Sequence, residues 1–317
     1  MKSVYITIMM ICMLLMLIIP LSAKNTLENI PTLAPPPADT TAPEPAPTEE
    51  VKVKLSQTGE IVTLTLEDYL FGVVAAEMPA LYEAEALKAQ TIAAYTYYLC
   101  DRESGKEYDI TDDYTVDQAF VLLDTAREKW GDGADTYENK IRAAVKSVIG
   151  KRVLYGGSPA RTVYHAVSFG VTENARDVWG GDYPYLISVD SSFDKLYTDF
   201  LSEKSFTAEE LKAALSTLAE VKALDSNVIT DIVRTEAGGV KSLKISGKEV
   251  SGGDVRKALE LKSANFEVAF SGGKYTFTVK GYGHAVGMSQ NGANYLAQQG
   301  KNYEEILLHY YTGCSVG

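Results

Sequence analysis

Apolar positions along this chain change their period several times. From Val4 to Ile19 they are almost continuous, and the run reaches Ala23 with only Pro20 and Ser22 as interruptions. A run of this length is near the lower limit for a helix that spans a bilayer. Lys2 and the amino terminus precede it, an arrangement that leaves the N-terminus inside and the rest of the chain outside. A cleaved signal peptide is the competing reading, with Leu21-Ser22-Ala23 as an imperfect small-residue cleavage site. Residues 24–50, which include PTLAPPPADTTAPEPAPTEE, carry no hydrophobic period at all. Proline, alanine, threonine and glutamate in that mixture predict an extended, disordered spacer.

Periodic structure begins near Val51. Val51–Leu55 alternates and predicts a strand, Thr58-Gly59 a turn, and Ile61–Leu66 a second strand. From Leu66 to Met78 the apolar residues recur at helical spacing, and Pro79 stops the helix. Glu83–Leu99 predicts a second helix, with Ala84, Leu87, Thr91, Ala94 and Tyr98 on its buried face. Gln90, Tyr95 and Tyr97 lie beside that face as polar-tipped residues suited to lining a groove. The short turn between the helices folds them into a hairpin. Tyr108–Phe120 reads as a solvated loop, because Asp109, Asp112, Asp113 and Asp117 lack the spacing and the glycine of a calcium loop. Helices follow at 124–130 and 137–148. A hairpin joins 152–155 to 162–165 around Gly156-Gly157-Ser158-Pro159.

Residues 200–280 look like support or a smaller lobe. A capping box at Thr207–Glu210 opens a helix, strands follow at 229–235 and 240–245, then a helix at 251–261. A hairpin at 266–279 turns at Gly272-Gly273. The expected fold class is α+β, with mixed helices and antiparallel hairpins forming a groove, and an N-terminal transmembrane helix. The expected domains are an anchor or signal peptide at 1–23, a linker at 24–50 and one folded domain at 51–317.

Composition changes this picture little. Hydrophobic residues make up 46% and charged residues 23% of 317, which is ordinary for a globular chain. The formal net charge of −12 argues against nucleic acid as a partner.

The first candidate chemistry is Glu77. It follows Leu70, Val73 and Val74 at spacings of seven, four and three, so it continues the apolar stripe of the first helix. A carboxyl at a helix C-terminus among apolar groups disfavours its charged form, through desolvation and through the negative end of the helix dipole. A raised pKa is what a general acid near neutral pH needs. The competing reading is an acid that reaches solvent or pairs with Lys88.

Two later stretches hold clustered polar and aromatic groups. YHAVSFGVTENARDVWGGDYPYL, residues 164–186, places His165, Ser168, Thr172, Glu173, Asn174 and Trp179 on one long loop. Aromatic faces beside amide and hydroxyl groups suit sugar rings. GYGHAVGMSQNGANYLAQQGKNYEEILLHYYTGC, residues 281–314, surrounds His284, Met288, Ser289 and Gln290 with glycine, which permits close approach of a ligand to the backbone. It lacks the endings of a phosphate loop or a dinucleotide fingerprint. His284 also fits a hydrogen-bonded structural histidine. The three histidines (165, 284, 309) and the two cysteines beyond the apolar run (Cys100, Cys314) fit no metal-ligand spacing, and no metal or other cofactor is called for. A Cys100–Cys314 disulfide is permitted outside the cell but not implied.

Three segments together carry a specific resemblance: LEDYLFGVVAAEMP with ALKAQTIAAYTYYL, the 164–186 loop, and the glycine-rich stretch from 281. They resemble the SpoIID/LytB family of cell-wall enzymes, from about Val51 to the end. The resemblance implies a lytic transglycosylase acting on peptidoglycan glycan strands already stripped of stem peptides, during the wall remodelling of engulfment in sporulation. The family's catalytic glutamate precedes a Met-Pro, and that position here is Glu77. Tyr95, His165, Ser168, Thr172, Glu173, His284, Ser289 and Gln290 are then the candidate substrate-binding residues. Implied partners are the glycan strands and two membrane proteins of the engulfment machine, an amidase/endopeptidase and a multispanning anchor. The implied location is the cell membrane, single-pass, with the catalytic domain extracytoplasmic. Ala285 departs from the family pattern, where a glycine is expected after the histidine, and so does Asn291, where an aromatic is frequent.

Two readings of other kinds stand beside this one. One is an ordinary glycan hydrolase with Asp68, Glu173 or Asp177 as its second carboxylate. The other is a non-catalytic glycan-binding scaffold.

Overall fold

Alternation is visible in the first strand, where Val51 and Val53 are buried and Lys52 is exposed. This strand, β1 (Glu50–Lys54), pairs antiparallel with β2 (Ile61–Thr65) and parallel with β3 (Ile110–Thr111). The computed structural model describes residues 49–102, 106–221 and 227–317. The expected anchor and nearly all of the expected linker lie outside the described residues. Among the described residues no helix is long and apolar enough to cross a membrane.

Thr65 ends β2 and caps the next helix, α1 (Leu66–Glu77), its hydroxyl accepting from the Asp68 amide at 3.1 Å. Met78 turns to extended backbone ahead of Pro79, so α1 ends at Glu77. Leu66 and all six residues from Tyr69 to Val74 are buried, so the middle of α1 is covered on every side rather than on one face.

The second helix, α2 (Ala84–Asp101), differs from the one-sided helix expected. Its residues from Ala89 to Tyr98 are all buried, including Gln90, Tyr95 and Tyr97. The alanines at 86, 89, 93 and 94 explain this, because small side chains let neighbours approach on every side. Those neighbours are α1, α4 (Ala134–Val148), α8 (Gln290–Gln298) and α9 (Tyr303–Tyr310). Between them, α3 (Leu123–Trp130) packs on α4 and α1.

The middle hairpin is shorter than expected. β4 (Val153–Tyr155) turns back into β5 (Ser158–Pro159), and β14 (Ser315–Val316) closes its other edge. Tyr164–His165, β6, leaves that hairpin and pairs in parallel with β13 (Met288–Ser289). The sequence pattern could not show this partner, which lies more than a hundred residues away.

A second hydrophobic cluster fills residues 208–279, around Leu211, Leu243, Phe266 and Phe277. Its sheets are β8 (Ile229–Arg234), β9 (Val240–Ile245) and β10 (Lys248–Ser251) in one, and β11 (Phe266–Ser271), β12 (Lys274–Lys280) and β7 (Leu201–Thr207) in the other. After the short α5 (Ala175–Val178), the capping box at Thr207 opens α6 (Ala208–Ala214), and Ser251 caps α7 (Gly252–Ala258). The 266–280 hairpin turns at Gly272-Gly273 as its sequence predicts. The described part of the chain is therefore mixed α+β with largely antiparallel sheets.

Candidate active site

Glu77 ends α1 with its carboxylate held at both oxygens. The Ala119 amide donates to Oε1 at 3.0 Å, and Gln290 Nε2 donates to Oε2 at 3.0 Å. Burial raises the pKa of this carboxyl, and the two hydrogen bonds oppose the rise. Lys88 does not pair with it, for its Nζ meets Glu85 Oε1 at 2.7 Å.

The segment that supplies Ala119 is not a solvated loop. Gln118 is buried, and it donates to the Tyr69 hydroxyl at 2.8 Å and the Ala94 carbonyl at 3.3 Å. Its Oε1 accepts from the Tyr164 hydroxyl at 2.7 Å. Gly72 makes the approach possible: a Cβ there would lie 2.3 Å from Phe120 Cε2 and 2.6 Å from the Val121 carbonyl oxygen. The loop thus lies on the bare back of α1, and its amide reaches the helix end. The aspartates work locally: Asp109 and Asp112 accept from the amides of Lys52 and Ser56, and Asp117 from that of Thr111.

Gln290 opens α8, which Ser289 caps by accepting from the Gly292 amide at 3.1 Å. The pairing of Ser289 with His165 joins this helix start to the 164–186 loop. His165 is buried, and its Nδ1 lies 3.1 Å from the Val286 carbonyl oxygen. That bond makes Nδ1 the proton-bearing nitrogen and leaves Nε2 as an acceptor, which has no partner among the described residues. Burial depresses the His165 pKa to about 4, so the ring is neutral. His284 stands 5.7 Å away, ring centre to ring centre, with Trp179 against its other side at 4.9 Å. Its pKa is held well down by burial, then by His165 and Arg256. Gly283 lets these rings come together, since a Cβ there would meet His165 Cβ at 2.7 Å.

Glu77 and Gln290 therefore meet directly, while His165 and Ser289 are partners in the adjoining ladder and His284 packs beside His165. The other candidates hold the loops in place. Ser168 donates its amide to Asp194 Oδ2 at 2.9 Å and accepts from Gly170, and Thr172 accepts from the Val189 amide at 2.9 Å. Glu173 accepts from the Thr235 hydroxyl at 2.7 Å and the Gly239 amide at 3.2 Å, tying the 164–186 loop to the smaller lobe. Tyr95 is buried in α2 with its ring stacked on Tyr98, and among the described residues no hydrogen bond links it to Glu77. Buried Asp194 was not legible in the sequence: it gathers the Ser168 amide, the Ser191 hydroxyl and the Asn291 side chain.

Ala285 has φ +62°, the left-handed region that glycine tolerates best. The alanine that stands in place of the expected glycine thus carries left-handed backbone strain. Among the described residues no three His, Cys, Asp or Glu side chains converge as a metal site, and Cys100 and Cys314 are free thiols.

A family model described as stage II sporulation protein (SpoIID) matches residues 54–155. Stage II sporulation protein D of Bacillus amyloliquefaciens is 35% identical over 272 residues, covering 84% of this chain and 78% of that protein. The chain belongs to the SpoIID family. Stage II sporulation protein D of Bacillus subtilis (strain 168) is 37% identical over 262 residues, covering 81% of this chain and 75% of that protein. The amidase enhancer of Bacillus subtilis (strain 168) is more distant, 28% identical over 298 residues and matched over 40% of its own length. The SpoIID model match contains Glu77, its Ala119 donor and all of α2. Gln290 and both loop histidines come from outside it.

Proposed function

We propose that this SpoIID-family sporulation protein is a lytic transglycosylase that cuts the MurNAc–GlcNAc backbone of peptidoglycan, leaving 1,6-anhydroMurNAc ends. The observation that carries the reading is the Glu77 carboxyl, desolvated enough to raise its pKa yet fixed at both oxygens. Protonated, it gives its proton to the leaving glycosidic oxygen. As a carboxylate it then takes the proton of the muramyl C6 hydroxyl, which attacks the anomeric carbon. One acid suffices for this cycle, whereas ordinary hydrolysis needs two.

Of the three other candidate acids two are paired with cations, while Glu173 shares the raised pKa of a buried carboxyl and is held on the side of the smaller lobe. Asp68 is at the start of α1, with Arg142 Nη1 at 3.1 Å. Asp177 pairs with Lys241 Nζ at 3.1 Å, and Glu173 is bound by Thr235 and Gly239. His165, His284, Trp179, Ser289 and Gln290 bind or border the sugar chain in this reading. The family supports a role in sporulation; in this reading the setting is wall remodelling on strands without stem peptides, with the folded domain anchored outside the cytoplasmic membrane. The two engulfment-machine membrane proteins are the proposed partners.

Mass spectrometry of bare glycan strands incubated with the full-length chain and with Glu77→Gln tests this. Anhydromuramyl ends that vanish in the variant are expected. Reducing ends in their place would mean hydrolysis, and uncut but bound strands would mean a scaffold.

A further inference from the structure

Two basic side chains of the smaller lobe belong to a turn that is bonded to the segment just before His284. Arg256 lies in the last turn of α7, and its Nε donates to the Leu261 carbonyl at 3.4 Å while the Leu261 amide returns to the Arg256 carbonyl at 2.9 Å. The next residue, Lys262, accepts from the Gly283 amide at 2.9 Å and places Nζ 5.7 Å from the centre of the Tyr282 ring. Ser263 then pairs with Gly283 in a parallel bridge. The turn from Arg256 to Ser263 is therefore stitched to the residue that packs on His165 and precedes His284.

Neither cation meets a carboxylate among the described residues. The contrast with other part-buried arginines is informative: Arg142, Arg161 and Arg234 each pair with an acid. Burial lowers the Arg256 pKa and the phenols of Tyr282 and Tyr114 oppose it, while Arg256 adds to the burial that depresses both histidines. A half-desolvated guanidinium without a counter-ion is a ready anion site, because most of its desolvation cost is already met and its planar fork fits a carboxylate. Exposed rings stand nearby. Tyr282 is 50% exposed, Tyr114 77%, and Trp179, over His284, 51%. Rings beside a lone cation fit a sugar that carries an acid.

A muramyl sugar carries such an acid only when its peptide is gone. With the peptide attached, the lactyl carboxyl is a neutral amide. We propose that Arg256, with Lys262 beside it, binds the free lactyl carboxylate of bare glycan and makes the groove prefer bare strands over peptide-substituted ones. This specificity role rests on the glycan-cleaving reading given above.

The test is a binding measurement by calorimetry. It uses the full-length chain carrying Glu77→Gln, so that the ligand stays intact. Three oligosaccharides of equal length are compared: bare muramyl glycan, the same glycan with its carboxyls coupled to methylamine, and an all-N-acetylglucosamine chain. The free acid should bind on the order of tenfold tighter than its amide. Adding Arg256→Met should erase that difference while leaving the amide and the N-acetylglucosamine chain within about twofold. Arg256→Gln, which can still donate toward the Leu261 carbonyl, is the second variant and should erase it too. Equal binding of acid and amide by the parent, no binding of any of the three, or a preference that survives in either variant overturns the proposal. Preference for the acid in a wild-type chain that never cuts glycan keeps this assignment and sinks the transglycosylase. Cutting without preference does the reverse.

Discussion

Gln290 Nε2 donates to Glu77 Oε2 at 3.0 Å, joining the first helix of the folded region to the first residue of α8, 213 positions later. This bond stabilises the charged carboxylate and so restrains the rise in pKa that burial causes. Gln290→Leu removes the restraint. If Glu77 is the proton donor, the alkaline limb of the pH–rate profile should move to higher pH and the maximal rate should fall on the order of tenfold or more. An unmoved limb would show that Glu77 is not the group being titrated.

Glu77 is also a site where stability is given up. Its folded pKa lies above its unfolded one, so the unfolded chain ionises first as pH rises. The folded state is penalised above the unfolded pKa and recovers as pH falls toward it. Glu77→Gln should therefore unfold at a higher temperature than the parent at pH 7 to 8, and the gap should close near pH 4. Thermal melts across that range check both halves.

Gly72 decides whether the Ala119 amide can reach the acid. Gly72→Ala forces Phe120 and the Val121 carbonyl away from α1. We expect a loss of about 1–3 kcal/mol by denaturant titration. We also expect a larger fall in glycan cleavage than that loss accounts for. A fully stable, fully active Gly72→Ala would mean that the loop position is irrelevant to the acid.

His165 sets an acid limit. Its folded pKa of about 4 lies below the ordinary value of 6.5, so between those pH values the unfolded chain binds the extra proton. Stability should be full above about pH 6.5 and decline as pH falls toward 4. His165→Gln should flatten that part of the curve. An unchanged slope in the variant assigns the decline to other groups.

Much of this was legible beforehand, for identifiable reasons. Local signals carried the ends of α1, the capping box at Thr207 and the turn at Gly272-Gly273, because each is decided by a few adjacent residues. The pairing of Tyr164–His165 with Met288–Ser289 was not legible, since a two-residue parallel bridge leaves no period in either segment. The Ala119 donor was hidden for another reason: a backbone amide has no side-chain signature. The indirect sign was Gly72, a glycine inside an amphipathic helix, which is costly unless something must come close. Arg256 gave no sign at all, for an unpaired charge is defined by what does not surround it.

The enclosure of α2 bears on when the protein can become active. Two of its walls, α8 and α9, lie about two hundred residues further along the chain. Until they emerge, the tyrosines and alanines of α2 have no cover there, and the acid lacks the side chain that holds one of its oxygens. Such separated contacts also slow the search for the native state. A chain that stops short of α8 therefore carries Glu77 without its clamp, and the acid is assembled only when two segments some two hundred residues apart have met.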